Sequence, residues 1–343
     1  MIMIPPFSWR RAFAALGVVV AVLLIGYGAL FLVPPASGTP ALGVQFSKIH
    51  AQWLGIDWRA AYTALLDDVR VRRVRIGAYW PEIEPTEGAR EFADLDFLMD
   101  GASARGAAVV LAVGRRLPRW PECHIPDWAR TLPETEQRER AIALIRAVVE
   151  RYRNHPALAT WQVENEPFLT LFGECAPTDP TVFRREIALV RALDPQHPVL
   201  ITDSGELSMW MRTAAAGDFL GTTMYRVVWN PIVGYWSYDA IIPPAFYRLK
   251  ALLAGKPAAR MVIAELQAEP WIPKGDIFST PLDEQRKSMD AARFRKHIAF
   301  AHATGFRDVY LWGAEYWYWL KERHGDPSLW DAARDAFRAD ADR

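Results

Sequence analysis

The sequence predicts one α/β domain, a (β/α)8 TIM barrel, preceded by a single transmembrane helix. Three observations carry this. Strand-like and helix-like segments alternate eight times over about 300 residues, within the range of such barrels. No Gly-rich phosphate loop follows the first strand, as a doubly wound open sheet that binds nucleotides would show. And no charged residue occurs between Ala12 and Ser47.

The apolar run comes first. "AFAALGVVVAVLLIGYGALFLV" (12–33) exceeds the ~20 residues needed to cross a bilayer. Arg10 and Arg11 precede it and no basic cluster follows, so the positive-inside rule puts residues 1–11 in the cytoplasm. The run is long for a signal-peptide core and no A-x-A cleavage site follows. An uncleaved signal anchor is therefore expected over a removed signal peptide; either puts the remainder outside the cytoplasm. "PPASGTP" (34–40) reads as a linker, and 41–343 as the barrel domain.

The first strand is "ALGVQFS" (41–47), with a helix from Asp57 to Arg70; "RRVRIGAYW" (72–80) is the second, with a helix near Asp94 to Arg105. "GAAVVLAVG" (106–114) is apolar throughout, as a strand covered on both faces should be. A helix from Glu134 to Arg153 then sets Ile142, Ile145, Val149 and Tyr152 on one face, with acidic residues in its first turn. "ALATWQVEN" (157–165) is the fourth strand, followed by a helix from Thr181 to Leu193. "PVLITD" (198–203) and "FLGTTMYR" (219–226) follow, with helices near Leu207 to Ala216 and Ala245 to Leu253. "ARMVIAEL" (259–266) leads to a long helix, Glu284 to Thr304, closed by Gly305. "RDVYLWG" (307–313) is the eighth strand, with a last helix from Ser328 to Arg338.

Composition narrows the function. Lys plus Arg and Asp plus Glu number 40 each, so no strong field favours nucleic acid. The 15 Trp and 11 Tyr suit either core filling or stacking on the flat faces of sugars. There is no H-E-x-x-H, G-x-S-x-G, Walker motif or dinucleotide fingerprint, and His124 beside Cys123 lacks further metal ligands. No metal and no cofactor are expected.

Barrel enzymes place their sites at the C-terminal ends of the strands. Those ends carry Arg75 and Tyr79-Trp80, then Glu164-Asn165-Glu166, Tyr225-Arg226, Glu265 and Trp312. Glutamates on strands four and seven face each other across the mouth, and glycoside hydrolysis requires two facing carboxylates. One protonates the leaving oxygen; the other attacks the anomeric carbon or activates water.

On these residues the chain resembles the clan A glycoside hydrolases over about 41–340. Asn165-Glu166-Pro167 is similar to the clan's Asn-Glu-Pro motif, which implies Glu166 as acid/base and Asn165 as the partner of the sugar 2-hydroxyl. Glu265 in "VIAEL" matches the nucleophile, with Glu269 as its rival four residues on. Arg75 and Tyr225 resemble the residues that orient the nucleophile, and Trp312 the platform beneath the sugar. "YWPEIEPTEGAREFADLD" (79–96) is similar to the clan's loop after strand two, which adds Trp80 to the substrate contacts; Trp271 is a further candidate platform, as are Trp317 and Trp319. The resemblance implies a retaining mechanism with a glycosyl-enzyme intermediate on Glu265.

Cys123 and Cys175 fall on the loops after strands three and four. One disulfide is expected between them in an oxidising compartment, contributing ~3–4 kcal/mol; two free thiols are the alternative. Arg115, Arg116 and Arg119 in "GRRLPRWPECHIPDW" (114–128) read as a solvated basic loop, or as ligands of an anionic sugar. The chain is thus read as a membrane-anchored, extracytoplasmic glycosidase acting on a β-linked carbohydrate by double displacement. A transglycosylase and a non-catalytic carbohydrate-binding barrel are the alternatives.

Overall fold

The computed structural model describes residues 9–34, 37–175 and 178–342. Eight parallel strands close into a barrel: β1 (Ala41–Gln45), β2 (Arg73–Gly77), β3 (Ala108–Val113), β4 (Leu158–Val163), β5 (Val199–Asp203), β6 (Phe219–Met224), β7 (Met261–Gln267) and β8 (Asp308–Trp312). Each strand pairs with its chain neighbours, and β8 closes the ring on β1 with Ala41 opposite Asp308. The strands read as runs of Val, Leu, Ile and Ala because both faces are covered, one by helices and one by the barrel interior.

Side chains that point outward join the helices in one continuous core, including Trp161, Leu111, Ile263 and Val309. Inside the barrel the lower half is closed by a separate cluster of Val110, Leu200, Phe219, Val262 and Tyr310. Gly43 makes room for it, since a Cβ there would lie 2.8 Å from the Tyr310 ring.

Two strands carry one residue more than their neighbours. In β4, Val109 pairs with Leu158 but Val110 with Thr160, so Ala159 is extra. In β7, Thr222 pairs with Ile263 but Thr223 with Glu265, and the other edge shows the same shift. Ala264 is therefore bulged, and a bulge re-aims the side chain that follows it.

Several elements differ from expectation. The segment near Leu207 to Ala216 forms turns rather than a helix, and Trp210 within it has φ +64° with its indole N–H donated to the Ser204 carbonyl. The long helix expected over 284–304 is two, Leu282–Arg286 and Ala291–His302, because the Asp290 side chain accepts from the Arg293 N–H and caps a fresh start. "WGAEYWYW" enters an unforeseen helix, Ala314–His324, and an unforeseen hairpin pairs Val227–Asn230 with Gly234–Ser237.

At the N-terminus a helix, Trp9–Ala29, runs into a short 3-10 turn, Leu30–Leu32. Its stretch Phe13–Leu32 is long and apolar enough to cross a membrane, and Phe13, Leu16, Val22 and Ile25 are exposed. Residues 1–8 of the expected cytoplasmic segment and residues 35 and 36 of the expected linker lie outside the described residues.

Candidate active site

The site sits at the C-terminal mouth and is organised by Arg75, a fully buried guanidinium on β2. Its Nη1 donates to Glu265 Oε1 at 3.0 Å and to the Ala264 carbonyl at 3.3 Å. Its Nη2 reaches Asn165 Oδ1 at 2.7 Å and its Nε reaches Gln162 Oε1 at 2.7 Å. One cation thus ties β2, β4 and β7 together. A planar fork of donors can do this where an ammonium cannot.

Glu265 is held on both oxygens, the second by the Tyr225 hydroxyl at 3.1 Å. It points into the barrel because the Ala264 bulge shifts the side-chain alternation of β7 by one. Asn165 has its oxygen filled by Arg75 and the Thr202 hydroxyl, yet its Nδ2 is buried with no partner among the described residues. A buried donor with no acceptor is costly unless a ligand supplies one.

Glu166 leaves β4 at φ +43° and Glu164 at φ +57°, a region L-residues rarely enter. Such backbone persists where the surroundings enforce it. Here Thr202 Oγ1 accepts the Glu166 N–H at 2.9 Å, and Glu164 receives the Arg115 and Arg116 N–H groups on its two carboxylate oxygens. Gly114, at φ +135°, lets Glu164 lie there, since a Cβ would meet its carboxyl at 2.8 Å. Glu164 therefore fastens the loop after β3.

Burial, then the charges of Glu265 and Glu122, holds the Glu166 carboxyl well above the usual range. Among the described residues its one side-chain hydrogen-bond partner is the Thr223 hydroxyl, at 3.4 Å. A carboxyl kept protonated near neutrality can serve as a general acid. Glu122 was not foreseen. It pairs with Arg116 at 2.8 Å, and burial still pushes it up to about 7, with the Glu265 charge adding to the rise. Its position beside Cys123 was the available signal.

The loop of arginines is not solvated. Arg115 pairs with Glu134, Arg116 with Glu122, and Arg119 with both Glu269 and Glu315. All three are buried, since carboxylates neutralise them, Glu122 from the same loop and Glu134, Glu269 and Glu315 from other elements. Arg116 also donates to the carbonyls of Leu169 and Phe172, and the Cys123–Cys175 disulfide closes beside it. The two loops are thereby joined, and the alternative of free thiols does not hold.

Glu269 belongs to a different set from Glu265. Burial opposes its ionisation, but Arg119 and His50 prevail and bring it down to about 2. Arg119 also lies 4.1 Å over the Trp312 ring, covering one face of the expected platform. Trp271 is half-buried, edge-on to Tyr225 at 5.9 Å. Trp80 offers no surface to a substrate. It is wholly buried, donates its indole N–H to Glu84 and packs against Trp128, because Pro81 turns the chain into a short helix at this point. Trp317 and Trp319 are likewise packed inside. Among the described residues no cluster of His, Cys, Asp and Glu could hold a metal.

Residues 50–187 match the glycoside hydrolase family 42 model, described as β-galactosidase; the match includes Arg75 and Asn165-Glu166 and ends before Glu265. A β-galactosidase of Arthrobacter sp is 30% identical over 122 residues, 30% of this chain and 17% of that protein. One of Heyndrickxia coagulans is 30% identical over 133 residues, 34% of this chain and 20% of that protein. The match thus spans about a fifth of those relatives' length. Among solved structures, a GH10 protein of Paenibacillus barcinonensis aligns with TM-score 0.55 at 21% identity, over 81% of this chain and 84% of that one. A β-galactosidase of Halorubrum lacusprofundi aligns with TM-score 0.54 at 17% identity, over 87% of this chain and 58% of that one. The family match and the closed eight-stranded barrel together make the chain similar to the clan A glycosidases.

Proposed function

We propose that this chain is a clan A glycoside hydrolase, a retaining β-glycosidase that uses Glu166 as acid/base and Glu265 as nucleophile. One observation carries the reading: carboxylates at the ends of β4 and β7 sit in opposite settings at one mouth. Glu166 is buried with a single hydroxyl contact and its pKa is raised, whereas Glu265 is gripped by Arg75 and Tyr225. The first setting favours a proton donor, and the second fixes the orientation of an attacking carboxylate.

In the first step Glu166 gives its proton to the glycosidic oxygen as Glu265 attacks the anomeric carbon. The C–O bond to the leaving group breaks and an ester to Glu265 forms. Glu166, now a carboxylate, takes a proton from water, which attacks the same carbon and frees Glu265. Two inversions retain the configuration. Asn165 Nδ2 is the donor for the sugar 2-hydroxyl, and Arg75 holds Asn165 and Glu265 in mutual register.

The Phe13–Leu32 span anchors residues 41–343 outside the cytoplasm in this reading, where the disulfide is stable. The substrate is a β-linked oligo- or polysaccharide, and the relatives named β-galactosidase make galactosides the first to try. The test follows the anomeric proton by NMR while an aryl β-glycoside is cleaved. The β-anomer should appear first, and a 2-deoxy-2-fluoro glycoside should label Glu265. Initial appearance of the α-anomer, or a label on Glu269, would refute the assignment.

A further inference from the structure

A cavity of about 430 Å³ opens over the ends of β7, β8 and β1, lined by Trp312, Arg119 and Glu269, the last four residues beyond Glu265. It is within the size range of small-ligand sites. We propose that it binds a second sugar ring of the glycone, so that the enzyme takes two or more rings on that side of the cleaved bond. The proposal rests on the roles given above to Glu166 and Glu265.

Topology supplies the direction. In a closed ring of eight strands, β8 lies opposite β4. Glu166, on β4, protonates the leaving oxygen, so the leaving group departs on its side of the mouth. What lies across the mouth belongs to the glycone.

The lining suits a sugar. Trp53 and Trp120 stand at the rim with 50% and 68% of their surface exposed. Exposed indoles at the edge of a cavity are ready stacking faces for a ring with apolar C–H surfaces. Trp53 is held in place, stacked on His50 at 5.3 Å and against Phe278 at 4.9 Å. The floor is polar, and part of it is unsatisfied. Among the described residues Arg119 Nε is buried without a hydrogen-bond partner, and His50 Nε2 and Glu269 Oε2 face each other at 3.7 Å, beyond hydrogen-bond distance. Native structures leave few such atoms, and each is costly when left alone. Sugar hydroxyls both donate and accept, so one ring can serve a guanidinium and a carboxylate together.

Charge narrows the class further. The Arg119 cation is already shared by Glu269 and Glu315, so the floor carries no spare positive charge. A neutral hexose or pentose fits; a uronate would meet Glu269 and Asp276 in the lining and is rejected.

The test compares one-ring and two-ring glycones on the full-length protein in detergent. The probes are the 4-nitrophenyl β-glycosides of galactose, glucose and xylose and of the matching β-1,4-linked disaccharides. For the preferred sugar, the two-ring probe should exceed its one-ring partner in kcat/KM by about 10- to 100-fold, because remote binding energy is used at the reacting centre. The intact disaccharide should be the first product. Trp53→Ala and Trp120→Ala, each on the exposed rim, should erase that preference and leave the one-ring rate unchanged. The proposal falls if the one-ring probe is cleaved as fast, if single sugars are clipped first, or if the preference survives in the double variant. Cleavage of none of the six probes would instead overturn the glycosidase reading itself.

Discussion

The two halves of the barrel interior are built from opposite materials. Below, Val110, Leu200, Phe219, Val262 and Tyr310 form an apolar plug. Above, Gln162, Asn165 and Glu265 hang on Arg75 and Thr202 on Asn165, all buried but polar. The plug gains from every methylene removed from water. The upper half places charges where solvent cannot relax around them and keeps Asn165 Nδ2 unmatched. Stability is concentrated at one end of the same eight strands and reactivity at the other.

The sharpest way to separate the halves is through Glu265. Glu265→Gln is expected to lower kcat by on the order of 10⁴-fold or more while circular dichroism stays that of the parent. Retention of even a tenth of the rate would move the nucleophile elsewhere, Glu269 first. Leu200→Ala addresses the plug. It should cost about 2–5 kcal/mol in chemical denaturation and leave kcat near the parent value. A collapse of kcat with no loss of stability would mean that the lower half is part of the machinery.

The Cys123–Cys175 crosslink tests the rim, where loops rather than strands bear the structure. Its sequence separation is 52, and replacing both cysteines by serine should cost about 2–4 kcal/mol. Unchanged melting would show that the hydrogen bonds of Arg116, Glu164 and Glu174 suffice to join the two loops.

The smallest effect expected is on pH dependence. The basic limb of kcat/KM reports the acid in the free enzyme. A raised Glu166 puts that limb above the ordinary glutamate range, since activity is lost only as the proton leaves. Glu122→Gln removes a neighbouring negative charge that opposes ionisation. The limb should therefore move to lower pH, by less than about one unit. A shift upward would mean that Glu122 does not act on Glu166 through its charge.

The strands and the glutamates were legible in the sequence for a shared reason. Apolar runs such as "AVVLAV" and "MVIAEL" mark strands covered on both faces, and a carboxylate ending such a run stands out. What was not legible depends on partners distant in the chain. Arg119 looked solvated until Glu269, 150 residues away, arrived to neutralise it. Trp80 looked like a sugar contact, and Pro81 turned it inward instead. Residues 207–216 have helix-forming composition, but Trp210 spends its indole N–H on the Ser204 carbonyl and takes a left-handed backbone. The bulge at Ala264 left no local trace, since it exists only relative to β6 and β8.

That bulge bears on anyone who would transplant this site to another barrel. A graft that copied Arg75, Asn165, Glu166, Tyr225 and Glu265 onto eight regular strands would carry every functional group and still turn position 265 toward the surrounding helices. The surplus alanine has to travel with them. Likewise, a deletion of one residue in β7 would invert the strand from that point onward, a heavier lesion than most substitutions of the glutamate itself.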